Sequence, residues 1–223
     1  MKKRIIITGA TGMVGMGVLK YCLEDSRVSD VLSISRSKLG ITHPMLSEIV
    51  VSDFKLLEEH SEQLKGYDAC FFCLGTSSVS MTEADYTRIT YDLTINFARL
   101  LIEKSPQSVF CYVSGEGTDS SEQGKSMWAR VKGRTENELL KMDFPDAYMF
   151  RPGFIKALRG AKTKTKVYAL FYVLLKPFLP LIMMSEKYAT DTDRLAEAMI
   201  RTAVNGYPLK HLDTKLINKV AKM

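Results

Sequence analysis

Short apolar runs alternate with helix-patterned stretches along the first two-thirds of the chain. Runs at 4–8 (RIIIT), 30–35 (DVLSIS), 48–52 (EIVVS), 68–74 (DACFFCL), 108–114 (SVFCYVS) and 147–151 (AYMFR) predict strands. They are continuously apolar rather than alternating, which suits strands buried on both faces. Stretches near 13–24, 55–64, 83–104 and 127–142 carry helical spacing between them. The alternation predicts an α/β fold, a doubly wound parallel sheet with right-handed crossovers. After residue 155 the alternation fades and the chain is expected to be helical. The domain plan is therefore one domain over 1–223, with 156–223 as a small C-terminal substrate-side extension of it.

Composition narrows the class. The chain has 223 residues, 46% hydrophobic and 25% charged, which is ordinary for a soluble globular domain. Lys and Arg sum to 31 and Asp and Glu to 25, a net charge of +6. That surplus is small enough to serve one anion-gathering site and does not by itself call for nucleic acid. Cys22, Cys70, Cys73 and Cys111 sit in apolar surroundings, not in a secreted disulfide framework. The CxxC formed by Cys70 and Cys73 lies inside a strand-like run, where a buried structural role is expected. The basic start Lys2-Lys3-Arg4 is followed by Ile5-Ile6-Ile7 and then at once by glycines, unlike a signal peptide. The expected location is the cytoplasm.

The strongest local signal is Thr8-Gly9-Ala10-Thr11-Gly12-Met13-Val14-Gly15. It leaves a strand and opens a helix. Glycines allow the sharp turn and a close approach of backbone to a pyrophosphate, which would sit on the free amides of the helix start. Gly9, Thr11, Gly12, Met13, Val14 and Gly15 are thus candidate phosphate-binding residues. About 20 residues on, where an NAD site commonly carries an acidic residue, this chain has Arg36 between Ser35 and Ser37. A guanidinium there suits a 2′-phosphate, so the expected cofactor is NADP, with NAD less favoured. Asp53 and Phe54 follow the third strand, where a carboxylate can accept from the adenine amine. Leu74, Gly75 and Thr76 follow the fourth, where backbone can approach the adenine ribose.

The ordered set of motifs resembles the short-chain dehydrogenase/reductase superfamily. It is most similar to the atypical, NAD-dependent epimerase/dehydratase-like branch that includes relatives of the Tat-interacting metastasis suppressor. The residues that carry the likeness are the loop at 8–15, Ser35-Arg36, Cys73-Leu74-Gly75-Thr76, Val113-Ser114-Gly115, Arg130-Val131-Lys132-Gly133 and Phe150-Arg151-Pro152-Gly153. The resemblance implies a Rossmann fold with strand order 3-2-1-4-5-6 and sometimes a seventh strand. It implies that Lys132 holds the nicotinamide ribose and that Pro152, Gly153 and Phe154 bring backbone to the nicotinamide amide. It also implies a serine, Ser114, that polarises a substrate carbonyl, and a tyrosine general acid whose pKa a neighbouring lysine lowers.

The chain departs from that pattern at one position. Four residues before Lys132 stands Trp128, and an indole donates a hydrogen bond but cannot shuttle a proton near neutrality. The candidate catalytic set is Ser114, Lys132 and Trp128. A second YxxxK, Tyr172 to Lys176, lies in an apolar run and is read as chance. Tyr112, close to Ser114 in the same strand, is expected to face the other side of the sheet. Tyr86 and Tyr91 start the helix after the fourth strand, near enough to approach the pocket.

From Ala147 to Ser185 there is no acidic residue, and the stretch carries Arg151, Lys156, Arg159, Lys162, Lys164, Lys166 and Lys176. Three readings stand: a substrate-side lid, an acidic-membrane contact, or an apolar surface packed on a dimer mate or the core. Pro177 and Pro180 break the apolar run, which argues against a spanning helix. Thr190-Asp191-Thr192-Asp193 is a helix-start signature, closed by Gly206 and Pro208. His43, His60 and His211 have no ligand spacing, so no metal is expected. No aromatic interleaving or helix-turn-helix supports nucleic acid. The expected function is NADP(H)-dependent oxidoreductase or epimerase-like chemistry on a small carbonyl or hydroxyl substrate, by a monomer or homodimer. The alternative is a non-catalytic NADP(H)-binding redox sensor acting through a protein partner.

Overall fold

The computed structural model describes residues 1–161 and 185–223. Chain order is β1 (Lys3–Thr8), α1 (Met13–Glu24), β2 (Val28–Ser35), β3 (Leu46–Val50), a run of 3-10 turns (Phe54–Leu64) and β4 (Ala69–Phe72). Then come α2 (Glu83–Thr87), a π-helical turn (Arg88–Asp92), α3 (Leu93–Lys104), β5 (Val109–Val113), α4 (Met127–Leu139) and β6 (Ala147–Arg151). Two short strands, β7 (Phe154–Lys156) and β8 (Ala189–Asp191), precede α5 (Thr192–Asn205), β9 (His211–Asp213) and α6 (Thr214–Ala221).

The main sheet has seven strands in the order β3-β2-β1-β4-β5-β6-β9. Its pairings are all parallel. This is the expected doubly wound Rossmann plan with the seventh strand present. The apolar runs are buried on both faces, and the pleat divides them with period two. Ile5, Ile7, Ala69, Phe71, Cys111, Tyr148 and Phe150 join one core, against α1, α5 and α6. Ile6, Cys70, Phe72, Phe110, Tyr112 and Met149 join the other, against the 3-10 turns, α3 and the end of α4. Phe72 anchors the second core, with its ring 5.6 Å from Phe97 and 5.8 Å from Phe110. The buried reading of the CxxC holds for Cys70, which is fully buried within β4, whereas Cys73 lies just past the strand and is half-buried.

The C-terminal part contains more than helices. β7 pairs with β8 in a two-stranded sheet, and β9 extends the main sheet beside β6. Strands of three residues are too short to print a period on the sequence. α5 begins where the cap signature placed it: the Asp191 side chain accepts from the Arg194 amide at 2.8 Å. It ends at Gly206, whose φ of 70° is the left-handed region. α5 packs on α1 at Gly17, where a side chain would stand 2.5 Å from Thr192 Cβ.

Two of the basic residues singled out in the sequence are spoken for. Arg159 pairs with Asp193 at 2.9 Å and with Glu24 at 2.5 Å, and Arg151 pairs with Glu136. Lys162, Lys164, Lys166, Lys176, Tyr172, Pro177 and Pro180 lie outside the described residues. Among the described residues, no helix is long and apolar enough to cross a membrane.

Gly133 is the tightest steric point of α4. A side chain there would collide with the Asp119 carbonyl, so the helix lies directly on the loop that follows β5. Gly133→Ala is expected to cost about 3 kcal/mol or more by overpacking. Gly75→Ala, with open space around it, should cost less than about 0.5 kcal/mol. Denaturant titration of the two variants checks the contrast, and equal losses would contradict it.

Candidate functional site

The sheet's carboxyl edge carries the site. β1 ends in Thr8 and turns into α1 through Gly9 (φ 72°). A side chain at Gly9 would come within 2.6 Å of the Leu74 amide and 2.7 Å of the Cys73 carbonyl. Gly9 thus lets the exits of β1 and β4 touch. Gly15 removes a second clash, because a Cβ there would run into the Gly9 backbone. Gly12 N donates to Gly9 O at 2.9 Å and closes the turn. Gly12 caps α1 with extended backbone and no side-chain acceptor, and the first turn holds no acidic residue. The amides of Met13 and Val14 therefore open the helix without a side-chain acceptor, beside half-buried Thr11. Free amides at a positive dipole end form a cradle for an anion.

Arg36 follows β2 directly and is exposed, with no hydrogen bond or ion pair among the described residues. Ser35 Oγ donates to the Ser37 carbonyl at 2.7 Å and shapes the turn that carries it. Asp53 is exposed and Phe54 half-buried beyond β3, and the Phe54 ring meets Phe97 edge-on at 6.5 Å. Leu74 is half-buried, and Gly75 and Thr76 are exposed beyond β4. Open space around Gly75 means that packing within the chain does not require a glycine there.

A cleft of about 470 Å³ lies beside this edge. It gathers Thr76, Ser114, Trp128, Lys132, Pro152 and Gly153 from four separate segments, so the candidates drawn from distant motifs meet. Glu116 and Tyr86 line the same cleft. Phe154 sits just past it, at the start of β7, half-buried.

A buried carboxylate organises the floor. Glu136 is fully buried in α4, and Ser114 Oγ donates to it at 2.5 Å. Arg151 Nε donates to its two oxygens at 3.0 and 3.1 Å, and His211 Nε2 lies 3.5 Å away. Burial pushes the Glu136 carboxyl up, but His211, Arg151 and Ser114 together outweigh it and hold the group below its ordinary value. Ser114 is therefore engaged with Glu136, one turn beyond Lys132. Lys132 Nζ donates to the Ser114 carbonyl. Burial pushes its ammonium down to about 8, against the pull of Glu136.

Two tyrosine readings change. Tyr112 and Ser114 are two residues apart, so the pleat puts them on the same face, toward α4, and the expectation that Tyr112 faces away is overturned. The Tyr112 phenol is fully buried, its pKa pushed far up by burial and by the neighbouring Tyr86 and Glu136, with Thr135 as its hydrogen-bond partner. Tyr86 lines the cleft. Sequence reasoning placed it near the pocket without assigning it to the site. The signal was its place one turn into the helix after β4.

No protein-family model matches the chain. The chain is similar to the protein HTATIP2 of Rattus norvegicus, 29% identical over 155 residues, which are 69% of this chain and 63% of that protein. It thus spans less than two thirds of that relative. It is 26% identical to the mitochondrial protein FMP52 of Debaryomyces hansenii, over 72% of this chain and 69% of that one. Among solved structures, the Bordetella bronchiseptica enzyme WbmF in complex with NAD+ superposes with a TM-score of 0.68 at 18% identity, covering 99% of this chain and 77% of that one. WbmG from the same organism, in complex with NAD and UDP, gives 0.70 at 16%, covering 96% and 72%. The chain has HTATIP2 and FMP52 proteins as sequence relatives, and its fold is that of these NAD-complexed enzymes. The cytoplasmic expectation does not hold. The FMP52 relatives are named mitochondrial, which points away from the cytoplasm. That expectation rested on the first residues being unlike a secretory signal peptide, a pattern that says nothing of a mitochondrial address.

Proposed function

We propose that the chain is an NADP(H)-dependent oxidoreductase of the atypical short-chain type, acting on a small carbonyl or hydroxyl compound in the cleft beside β4, β5 and α4. The observation that carries this reading is that the uncapped α1 start, against the exit of β4, and the cleft that holds Lys132 share the carboxyl edge of the sheet. The residues fit a dinucleotide. The amides of Met13 and Val14 would take the pyrophosphate, and Arg36, without a partner among the described residues, a 2′-phosphate. Asp53 and Phe54 would flank the adenine. Lys132 would hold the nicotinamide ribose, and Pro152 and Gly153 would offer backbone to the carboxamide. A bound reduced nicotinamide would supply hydride.

The chain's own part is positioning and proton control. Trp128 brings an apolar, water-excluding wall with one N–H donor to the slot where the family pattern has a tyrosine. Ser114 reaches a substrate oxygen only by sharing its hydroxyl with Glu136. These two facts favour a second reading, a redox sensor that binds NADP(H) without turnover. Turnover of any member of an aldehyde, ketone and quinone panel decides for the enzyme. Tight NADPH binding with no turnover decides for the sensor.

Arg36→Asp is expected to weaken NADPH by about 100-fold, the loss of charge-assisted bonds plus like-charge repulsion, with NADH changed by less than about threefold. Equal losses, read by fluorescence titration, would remove the assignment of NADP. Lys132 adds a pH dependence. Its charged form is the better donor to ribose hydroxyls, so affinity should be full below about pH 8 and fall as pH rises through that value. Lys132→Met should flatten the profile, and an unchanged slope in that variant would sink the role.

A further inference from the structure

The tryptophan at 128 leaves the cleft without a proton donor in the usual place, and a tyrosine from another element lines the same cleft. Tyr86 is 2% exposed and lines the cleft with Ser114, Trp128 and Lys132. It is the tyrosine among the described lining residues.

Its position is built in. Thr82 caps α2, its hydroxyl accepting from the Asp85 amide at 3.2 Å. Glu83 of α2 pairs with Arg130 of α4 at 2.6 Å. The Arg134 guanidinium, one turn further along α4, lies over the Tyr91 ring at 4.3 Å. Residues on both sides of Tyr86 are thus tied to the helix that carries Trp128 and Lys132. The π-helical turn at Arg88–Asp92 follows directly, and such turns recur at functional sites. Tyr86 also lies close enough to the buried Tyr112 to raise its pKa. Tyr112 is sealed in the second core, so of the two phenols Tyr86 is the one that meets the cleft.

We propose that Tyr86 donates the proton to the substrate oxygen in this cleft, taking the part that a tyrosine at 128 would otherwise play. This rests on the oxidoreductase reading. The substrate carbonyl carbon accepts hydride from the reduced nicotinamide and forms a new C–H bond, while the C=O π pair moves onto oxygen. The Tyr86 O–H bond breaks and its proton goes to that oxygen, giving the alcohol. The two electrons of the hydride would come from a bound reduced nicotinamide, and the Tyr86 phenolate regains a proton from solvent. Lys132 supplies a cation in the same cleft to stabilise the phenolate.

The test compares wild type, Tyr86→Phe, Glu116→Gln and the double variant Tyr86→Phe/Trp128→Tyr with NADPH and a carbonyl panel. Tyr86→Phe keeps the ring that fills the site. It is expected to lower kcat by about 100-fold or more, the usual range for a lost general acid. NADPH affinity should stay within about twofold and the melting temperature within about 3 °C. The double variant should recover a measurable part of kcat, which a merely structural role for Tyr86 would not allow. Retained turnover in Tyr86→Phe overturns the assignment, as does a loss confined to Glu116→Gln, the competing acid. A parallel fall in stability and NADPH binding makes Tyr86 structural and also overturns it. Absence of turnover in wild type that binds NADPH defeats the oxidoreductase reading and this step with it. Turnover in wild type with an unaffected Tyr86→Phe defeats this step alone.

Discussion

The site depends on one close approach: the exit of β1 must lie against the exit of β4 while α1 starts immediately above. Gly9 permits the contact with Cys73 and Leu74, and Gly15 permits the helix to lie on the turn. A side chain at either position would meet backbone, not a movable neighbour. Only with that packing do the first amides of α1 open onto the sheet's carboxyl edge. The strand order reverses direction between β1 and β4, so the crevice forms there. Arg36 after β2, Asp53 after β3, and the cleft beyond β4 and β5 are placed by this geometry and not by local sequence.

The second constraint is the buried carboxylate of Glu136. Taking a charge out of water is costly unless it is paired and hydrogen-bonded. Arg151 from β6, Ser114 after β5 and His211 from β9 converge on it. The cluster joins three neighbouring strands of the sheet to α4, the helix of Trp128 and Lys132. It also explains why the hydroxyl of Ser114 is turned toward the protein. The chain departs from the pattern it resembles at the indole of Trp128, in the same cleft as the engaged serine. Among the described lining residues, Tyr86, Glu116 and Lys132 carry titratable protons.

How much was legible in the sequence follows from what each signal encodes. Ile5-Ile6-Ile7 announced a strand buried on both faces because both cores demand apolar residues at consecutive positions. α1 at 13–24 and β6 at 147–151 have the expected bounds. The glycine turn at 9–15 could be named because backbone requirements fix residue types at fixed offsets, whereas Lys132 and Pro152-Gly153 were named from the family resemblance. β7, β8 and β9 left no signal, since three residues hold less than two periods of a pleat. The single helix expected over 83–104 is interrupted by the π-helical turn at Arg88–Asp92, which side-chain spacing does not encode. The Glu136 cluster was missed because its members lie 15 to 75 positions from Glu136 and only the sheet brings them together.

The central claim is that main-chain amides at the start of α1 cradle the two linked phosphates of a pyridine dinucleotide. Titration calorimetry of NADPH into the folded wild-type protein tests it most directly. The account predicts saturable uptake at one site per chain. Heat no greater than dilution for both NADPH and NADH, from a preparation whose circular dichroism shows the α/β fold intact, would contradict it.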